Sequence, residues 1–180
     1  MHYHLKGFTL IEAMIVLLVA AILLLVAIPA WSNATSAAHN GATRAALAST
    51  VLEAVRHSAL MGAEVVVCPV TTEPQCSGSI DWSGGWIVFA DLNGNRMRDP
   101  HETVVGQAPA LEGGVRLRST TGRTKLVFQP NGGNAGSNVT FTLCDKRGVA
   151  KASTLVLAND GRLRQGTPTE AAAQACVNGG

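Results

Sequence analysis

Charge, aromatics and histidine are all scarce in this chain, and each shortage removes a class of function. Asp, Glu, Lys and Arg together make up 14% of the residues and aromatics 4%. Beyond residue 7 the histidines are His39, His57 and His101, and none stands with a serine and an aspartate in a nucleophile-elbow pattern, so hydrolytic chemistry lacks its parts. The segment "GRTKLVF" has neither the upstream glycine spacing nor the following helix of a phosphate-binding loop. With one tyrosine and three tryptophans, of which Trp82 and Trp86 read as core, there is little to stack on nucleobases. The reading is not an enzyme.

Metal ligands are equally thin. No C-x-x-C pair is present and the cysteine spacing fits no zinc site. "DLNGNRMRDPHE" does put Asp91, Asn93, Asn95 and Glu102 at the first, third, fifth and twelfth places of a calcium loop, yet the sixth, where an EF-hand needs glycine, is Arg96. The run before it reads as a strand, and an Asn-Gly turn in a hairpin accounts for the same letters. No metal and no cofactor is expected.

What the chain has in quantity is apolar sequence. Of its 180 residues 47% are hydrophobic, and the richest run, Phe8 to Ile28, is 21 residues long. At about 1.5 Å per residue a helix of that length reaches roughly 31 Å, enough to cross a bilayer once. Past it, the charges divide: Phe8 to Glu112 carries 4 Lys+Arg against 9 Asp+Glu, a net −5, whereas Gly113 onward carries 9 against 3, a net +6. The basic half is C-terminal. All four cysteines also lie past the apolar run, an even number that suggests two disulfides in a translocated domain. Of three pairings, the expected one is a loop clasp, Cys68 with Cys76, and a tail clasp, Cys144 with Cys176; the sequence leaves the others open.

A secretory signal places its small-residue cleavage site after the apolar core. Here Gly7 stands before it, in "KGFTLIE", so cutting there leaves the hydrophobic helix on the mature chain with Phe8 first and Glu12 fifth. These residues resemble the class III signal of type IV pilins and type II secretion pseudopilins. The resemblance implies that a prepilin peptidase cleaves between Gly7 and Phe8 and methylates Phe8. It also implies that Glu12, a carboxylate expensive in lipid unless paired, meets the N-terminal amine of a neighbouring subunit during assembly. Pro29 sits where pilins carry a proline that bends or locally melts the helix.

From Ser32 to Met61 the sequence is alanine-rich, with Ala45, Ala48, Leu52, Val55 and Leu60 near helical period, so one long helix is expected, half in the membrane and half packed on a domain, ended by Gly62. Later runs such as "VVVCP", "GWIVFAD", "VRLRS", "KLVFQ", "VTFTLCD" and "STLVLAND" are short strands bounded by Gly, Pro, Asn and Asp, read as an antiparallel meander. The organisation is thus a leader (1–7), a membrane and assembly segment (8–29), an amphipathic half-helix (30–62) and a β-rich domain (63–180). The fold class is α+β, the helix packed on one antiparallel sheet or two small ones. "VVVCPVTTEPQC", "WSGGWIVFADLNGNRMRD" and "TFTLCD" resemble the FimT/GspH family of minor pilins, over nearly the whole chain.

The basic residues come in pairs with period two. Arg116 and Arg118 alternate with Val115 and Leu117, Arg123 and Lys125 repeat the pattern, and Arg162 and Arg164 follow an Asn-Asp-Gly turn, so each pair can share a strand face. DNA-binding FimT-like proteins resemble this chain in a Gly-Arg-x-Arg motif near the C-terminus, matched by Gly161, Arg162, Leu163 and Arg164. That likeness implies a minor pilin that binds extracellular DNA by its phosphates during natural transformation, with Lys146, Arg147, Lys151, Arg116 and Arg118 as accessory contacts. The alternative is a GspH-like pseudopilin with a structural role. Implied partners are DNA, other pilin subunits and the prepilin peptidase. The implied location is the inner membrane with a periplasmic domain, then the pilus at the cell surface.

If Glu12 serves assembly, Glu12→Ala should leave the chain folded and cleaved while lowering its recovery in sheared fibres, and a Gly7 substitution should instead retain the leader, visible by mass spectrometry. Normal fibre recovery of Glu12→Ala would refute the assembly role.

Overall fold

A computed structural model describes residues 8–72, 74–136 and 138–179. The chain divides into two compact units, one ending at Thr35 and one running from Ser36 onward. Helix α1, Leu10–Met61, contributes to both.

In the first unit every large apolar side chain from Phe8 to Trp31 is exposed, Phe8 at 84% and Leu25 at 76%. A helix apolar on all sides needs lipid or other helices around it, and this one is long and apolar enough to cross a membrane. The helix is unbroken at Pro29, so no local melting occurs there. Proline's fixed φ is itself helical, and only one backbone donor is forfeited. The expected leader, with Gly7, lies outside the described residues.

In the second unit α1 buries a seam consisting of Ser36, Asn40, Thr43, Leu47, Thr50, Val51, Ala54 and Ser58. This corrects the face expected from the apolar period: Leu52 and Leu60 are each 72% exposed, Ala45 is exposed, and Ala48 and Val55 are half-buried. Small and polar residues occupy the seam because the sheets offer them partners. The Trp86 indole N–H donates to Thr50 Oγ1 at 2.9 Å, Asn40 Nδ2 to Asp145 Oδ2 at 3.0 Å, Arg44 Nη2 to Ser153 Oγ at 3.0 Å, and Ser58 Oγ to the Gln129 carbonyl at 3.1 Å. Gly62, at φ 65°, carries the chain out of the helix.

Eight strands follow: β1 Glu64–Pro69, β2 Trp86–Asp91, β3 Val104–Ala108, β4 Arg116–Ser119, β5 Leu126–Phe128, β6 Val139–Cys144, β7 Ser153–Leu157 and β8 Leu163–Gly166. They form two antiparallel sheets, ordered β3-β2-β1-β5 and β4-β6-β7-β8. The simple meander is therefore corrected, since β4 joins the second sheet and β5 returns to the first. Burial explains the exchange. β5 is apolar and buried throughout, which suits the first sheet, whose inner face meets the main core and whose outer face holds a second cluster of Val66, Cys68, Ile87, Phe89 and Val127. β4 alternates exposed Arg116 with buried Leu117, as a sheet with one wet face requires. β3 is not legible in the sequence, because Gly106 and Gln107 break its alternation.

The main core joins both sheets and the seam around Leu47, Val51, Trp82, Trp86, Phe128, Phe141 and Leu157. Trp82 meets Phe141 edge-on at 5.2 Å and its indole donates to Ser119 Oγ at 3.1 Å. Cys68 is bonded to Cys76, and Cys144 to Cys176.

The seam assignment is directly testable. Leu47→Ala, at a fully buried site, should lower unfolding free energy by about 2–5 kcal/mol, whereas Leu52→Ala should stay within about 0.5 kcal/mol of the parent in urea denaturation.

Candidate nucleic-acid interface

The second sheet orders the C-terminal cations. Its outer face carries Arg116 and Arg118 on β4, Thr140 and Thr142 on β6, Thr154 and Val156 on β7, and Arg164 on β8, as the register Arg118↔Thr142↔Thr154 and Thr140↔Val156↔Arg164 requires. A second helix, α2 Glu170–Asn178, packs on this sheet and is held to β6 by Cys144–Cys176. The sequence announces it only by Thr169 as N-cap, Glu170 in the first turn, four alanines and a closing Gly179; the Thr169 hydroxyl accepts from the Ala172 amide at 3.3 Å.

That helix takes up two of the expected DNA contacts. Arg116 Nη1 donates to the Val177 carbonyl at 2.8 Å, and Arg118 Nη1 to the Ala175 carbonyl at 3.3 Å. Both arginines do share the outward face, and there they neutralise the negative end of α2.

Gly161 to Arg164 are placed differently. Between β7 and β8 the chain reverses, with the Ala158 amide donating to the Arg162 carbonyl at 2.9 Å and the Gly161 amide to the Ala158 carbonyl at 3.0 Å. Gly161 has φ 78°, a left-handed conformation that any Cβ would strain. Leu163 packs on the core and thereby turns its two neighbours outward. Arg162 is 80% exposed and Nε donates at 2.7 Å to Asp160 Oδ2, a carboxylate itself 48% exposed. This bond, with the Arg162 amide, holds the Asp160 carboxyl below its usual range. Arg164, on β8, is exposed, and its guanidinium hydrogen-bonds none of the described residues.

Lys146, Arg147 and Lys151 lie at the opposite end of the sheet. β6 runs from Val139, beside the Gly161 turn, to Cys144, and the 145–152 loop starts there; at about 3.3 Å per residue the ends are roughly 15–20 Å apart. Arg147 is engaged with Asp145, whose side chain is fully buried: Nε donates to Oδ1 at 2.9 Å and Nη2 to Oδ2 at 2.6 Å. Lys151 is exposed. Lys146 lies over Gly114 and lines a cavity of about 310 Å³ with Arg116 and Val177.

Arg123 is nearer to the Gly161 turn than any of these three. Its guanidinium lies against Gly136, and the same 131–136 loop touches the turn, the Asn134 amide donating to the Asn159 carbonyl at 2.9 Å. The period-two pairing singled Arg123 out, but nothing in the sequence told which loop it faces.

The acidic loop closes on itself. Asp91 accepts from the Gly94 and Arg96 amides, both at 2.8 Å, and Glu102 from the Leu92 and Asp99 amides, both at 3.0 Å. Arg96 tolerates φ 57° in that setting. Among the described residues no group of three or more His, Cys, Asp or Glu side chains could hold a metal ion. At the N-terminus Phe8 and Glu12 are exposed, and the Glu12 amide donates to Thr9 Oγ1 at 3.3 Å.

Comparison with known proteins agrees with this architecture. Residues 29–161 match the family described as type II transport protein GspH, and residues 5–28 the prokaryotic N-terminal methylation motif. The pilin-like protein PilA1 of Thermus thermophilus is 32% identical over 168 residues, 88% of this chain and 97% of that one. Among solved structures, the type IV minor pilin FimU of Pseudomonas aeruginosa superposes with a TM-score of 0.56 at 12% identity, over 79% of this chain and 95% of that one. The minor pseudopilin EpsH from the type 2 secretion system of Vibrio cholerae does so with a TM-score of 0.50 at 13% identity, over 72% and 98%.

The Asp145–Arg147 pair carries a pH signature. Arg147's hydrogen bonds hold the Asp145 carboxyl below the usual carboxylate range, against the opposing effect of burial. A carboxyl depressed by folding contributes stability that is complete above its unfolded value and is lost as pH falls through its folded one. The parent should therefore lose stability below about pH 4, and Asp145→Asn should weaken that dependence while costing roughly 2–3 kcal/mol at neutral pH. Thermal melts at both pH values measure it.

Proposed function

Because the chain belongs to the GspH family of pilin-like proteins, we propose that it is a FimT-like minor pilin whose Gly161–Arg164 turn binds extracellular DNA for uptake in natural transformation. The minor pilin or pseudopilin character, a role among other pilin subunits and a membrane-anchored precursor follow from the family and its methylation motif. In this reading prepilin peptidase removes residues 1–7, residues 8–29 hold the precursor in the inner membrane, and Glu12 pairs with a neighbouring subunit. The domain from residue 30 onward stands in the periplasm and, after assembly, on the fibre.

The observation that carries the DNA reading is the pair of outward guanidiniums on a tight glycine turn. The Arg164 guanidinium has no partner among the described residues, and that of Arg162 has only the half-exposed carboxylate of Asp160. Guanidiniums so placed suit phosphate oxygens, and releasing the counterions of DNA supplies affinity without reading sequence. Asp160 lowers the net charge of the turn and sets Arg162's direction. The competing reading, a pseudopilin of type II secretion acting only in assembly, is favoured by the structural engagement of Arg116, Arg118 and Arg147. The fold is common to FimU and EpsH and does not separate the two.

In fluorescence anisotropy the protein should bind duplex DNA with little sequence preference and with affinity falling steeply with salt. Arg162→Gln with Arg164→Gln should reduce the log-log salt slope by up to about 2 and leave unfolding within about 0.5 kcal/mol per substitution of the parent. Parent protein without salt-sensitive binding would leave the pseudopilin reading standing.

A further inference from the structure

A second cluster of cations lies over the outer face of the first sheet. A cavity of about 330 Å³ opens between the Cys68–Cys76 loop, the 91–102 loop and the approach to β5, lined by Cys76, Arg96, Met97, Arg98, Thr124 and Lys125. Its three cations are held in place by different partners. Arg96 is bonded to Glu64 through Nε at 2.9 Å and Nη2 at 3.0 Å, a pairing that neutralises it. Lys125 Nζ donates to the Arg96 carbonyl at 2.7 Å and Arg98 Nη1 to the Pro74 carbonyl at 3.1 Å. Carbonyls orient these two cations without cancelling their charge. Asp99 lies beside Arg98 in sequence, with Oδ2 engaged by Asn93 and Asn95 at 2.7 and 2.9 Å, and Glu73 precedes Pro74.

The cavity stands in series with the Gly161 turn. The Asn134 amide reaches Asn159 of that turn, the Ala135 amide donates to the Val127 carbonyl at 2.7 Å, and Lys125 is two residues back along the same segment. At about 3.3 Å per residue and 4.8 Å between paired strands, Lys125 is within roughly 20 Å of Asn159. Arg123, on the segment leading to Lys125 and packed against Gly136, stands along this route. Each DNA strand carries a phosphate about every 3.4 Å of axis, so a duplex of roughly six base pairs spans the distance.

We propose that the Arg98–Lys125 cavity is a second phosphate site, taking a backbone phosphate of the same DNA that engages Arg162 and Arg164. The proposal rests on the DNA reading of the turn and adds to it a footprint that crosses from one sheet to the other. A guanidinium, an ammonium and the Thr124 hydroxyl supply donors for phosphate oxygens, and no aromatic lines the cavity to stack a base. Series placement with the turn favours a long polyanion over an acidic protein segment.

The test uses the full chain in neutral detergent and a duplex of about 20 base pairs. Arg98→Gln with Lys125→Gln should weaken binding about tenfold at low salt and lower the salt slope by up to about 2, additively with the Arg162/Arg164 pair. The charge-keeping Arg98→Lys should retain the slope, which separates lost charge from a loosened loop. If the glutamine pair binds like the parent while the Arg162/Arg164 pair binds weakly, the cavity is refuted and the turn stands. If the parent binds no DNA, the turn reading fails; tripolyphosphate heat in calorimetry that disappears in the glutamine pair would then still support a phosphate site, and no heat in the parent would overturn it. Polyglutamate binding as tightly as DNA would overturn the choice of phosphate.

Discussion

Four hydrogen bonds along one seam of α1 hold the two sheets in register with the helix. Asn40 is bonded to Asp145, Arg44 to Ser153, Thr50 to Trp86 and Ser58 to Gln129, so the seam grips both sheets at intervals of roughly one to two turns. Between them Leu47, Val51 and Ala54 fill the core. Hydrophobic burial supplies most of the stabilisation but has no direction, whereas a buried polar group left unpaired is penalised by about 1–3 kcal/mol. A slip of the helix by one residue would unpair several groups at once. The polar bonds thus decide position, and the positions of β6, β7 and the turn after β7 follow from them.

The same physics sorts the arginines. Arg147 sits beside a carboxylate that is buried and also bonded to Asn40, which makes it a fixture of the fold. Arg116 and Arg118 meet the carbonyl end of a short helix that a disulfide prevents from leaving. Arg162 and Arg164 flank Leu163, whose packing on the core leaves them in water. A guanidinium engaged by acceptors of its own chain serves the fold, and one facing solvent is available for a ligand. The net +6 of the C-terminal half is thus divided between engaged and solvent-facing cations.

Fold-level similarity leaves function open in this family. FimU, a type IV minor pilin, and EpsH, a pseudopilin of type 2 secretion, both share the architecture. Function in such a fold is set by the chemistry of its exposed loops, and the proposed DNA contacts of this chain are accordingly assigned to the Gly161 turn and the cavity beside Lys125.

The segments legible in the sequence are those whose physics is local. The apolar run, the β-branched strands, the tryptophans and the turn at Asp160–Gly161 depend on chemistry within a few residues. Exceptions prove instructive: β3 was hidden by Gly106 and Gln107, and α2 by an alanine tract without strong amphipathic contrast. The seam of α1 could not be read from periodicity, because Leu52 and Leu60 show the apolar spacing while Asn40, Thr43, Thr50 and Ser58 do the packing. Whether a cation is free was likewise undecidable in one dimension. Arg147's carboxylate is two residues away, but what buries that carboxylate includes Asn40, 105 residues distant from it. Local composition determined the membrane segment, the strands and the turn; through-space pairing, which depends on where distant groups land, decided which basic residues remain for a partner.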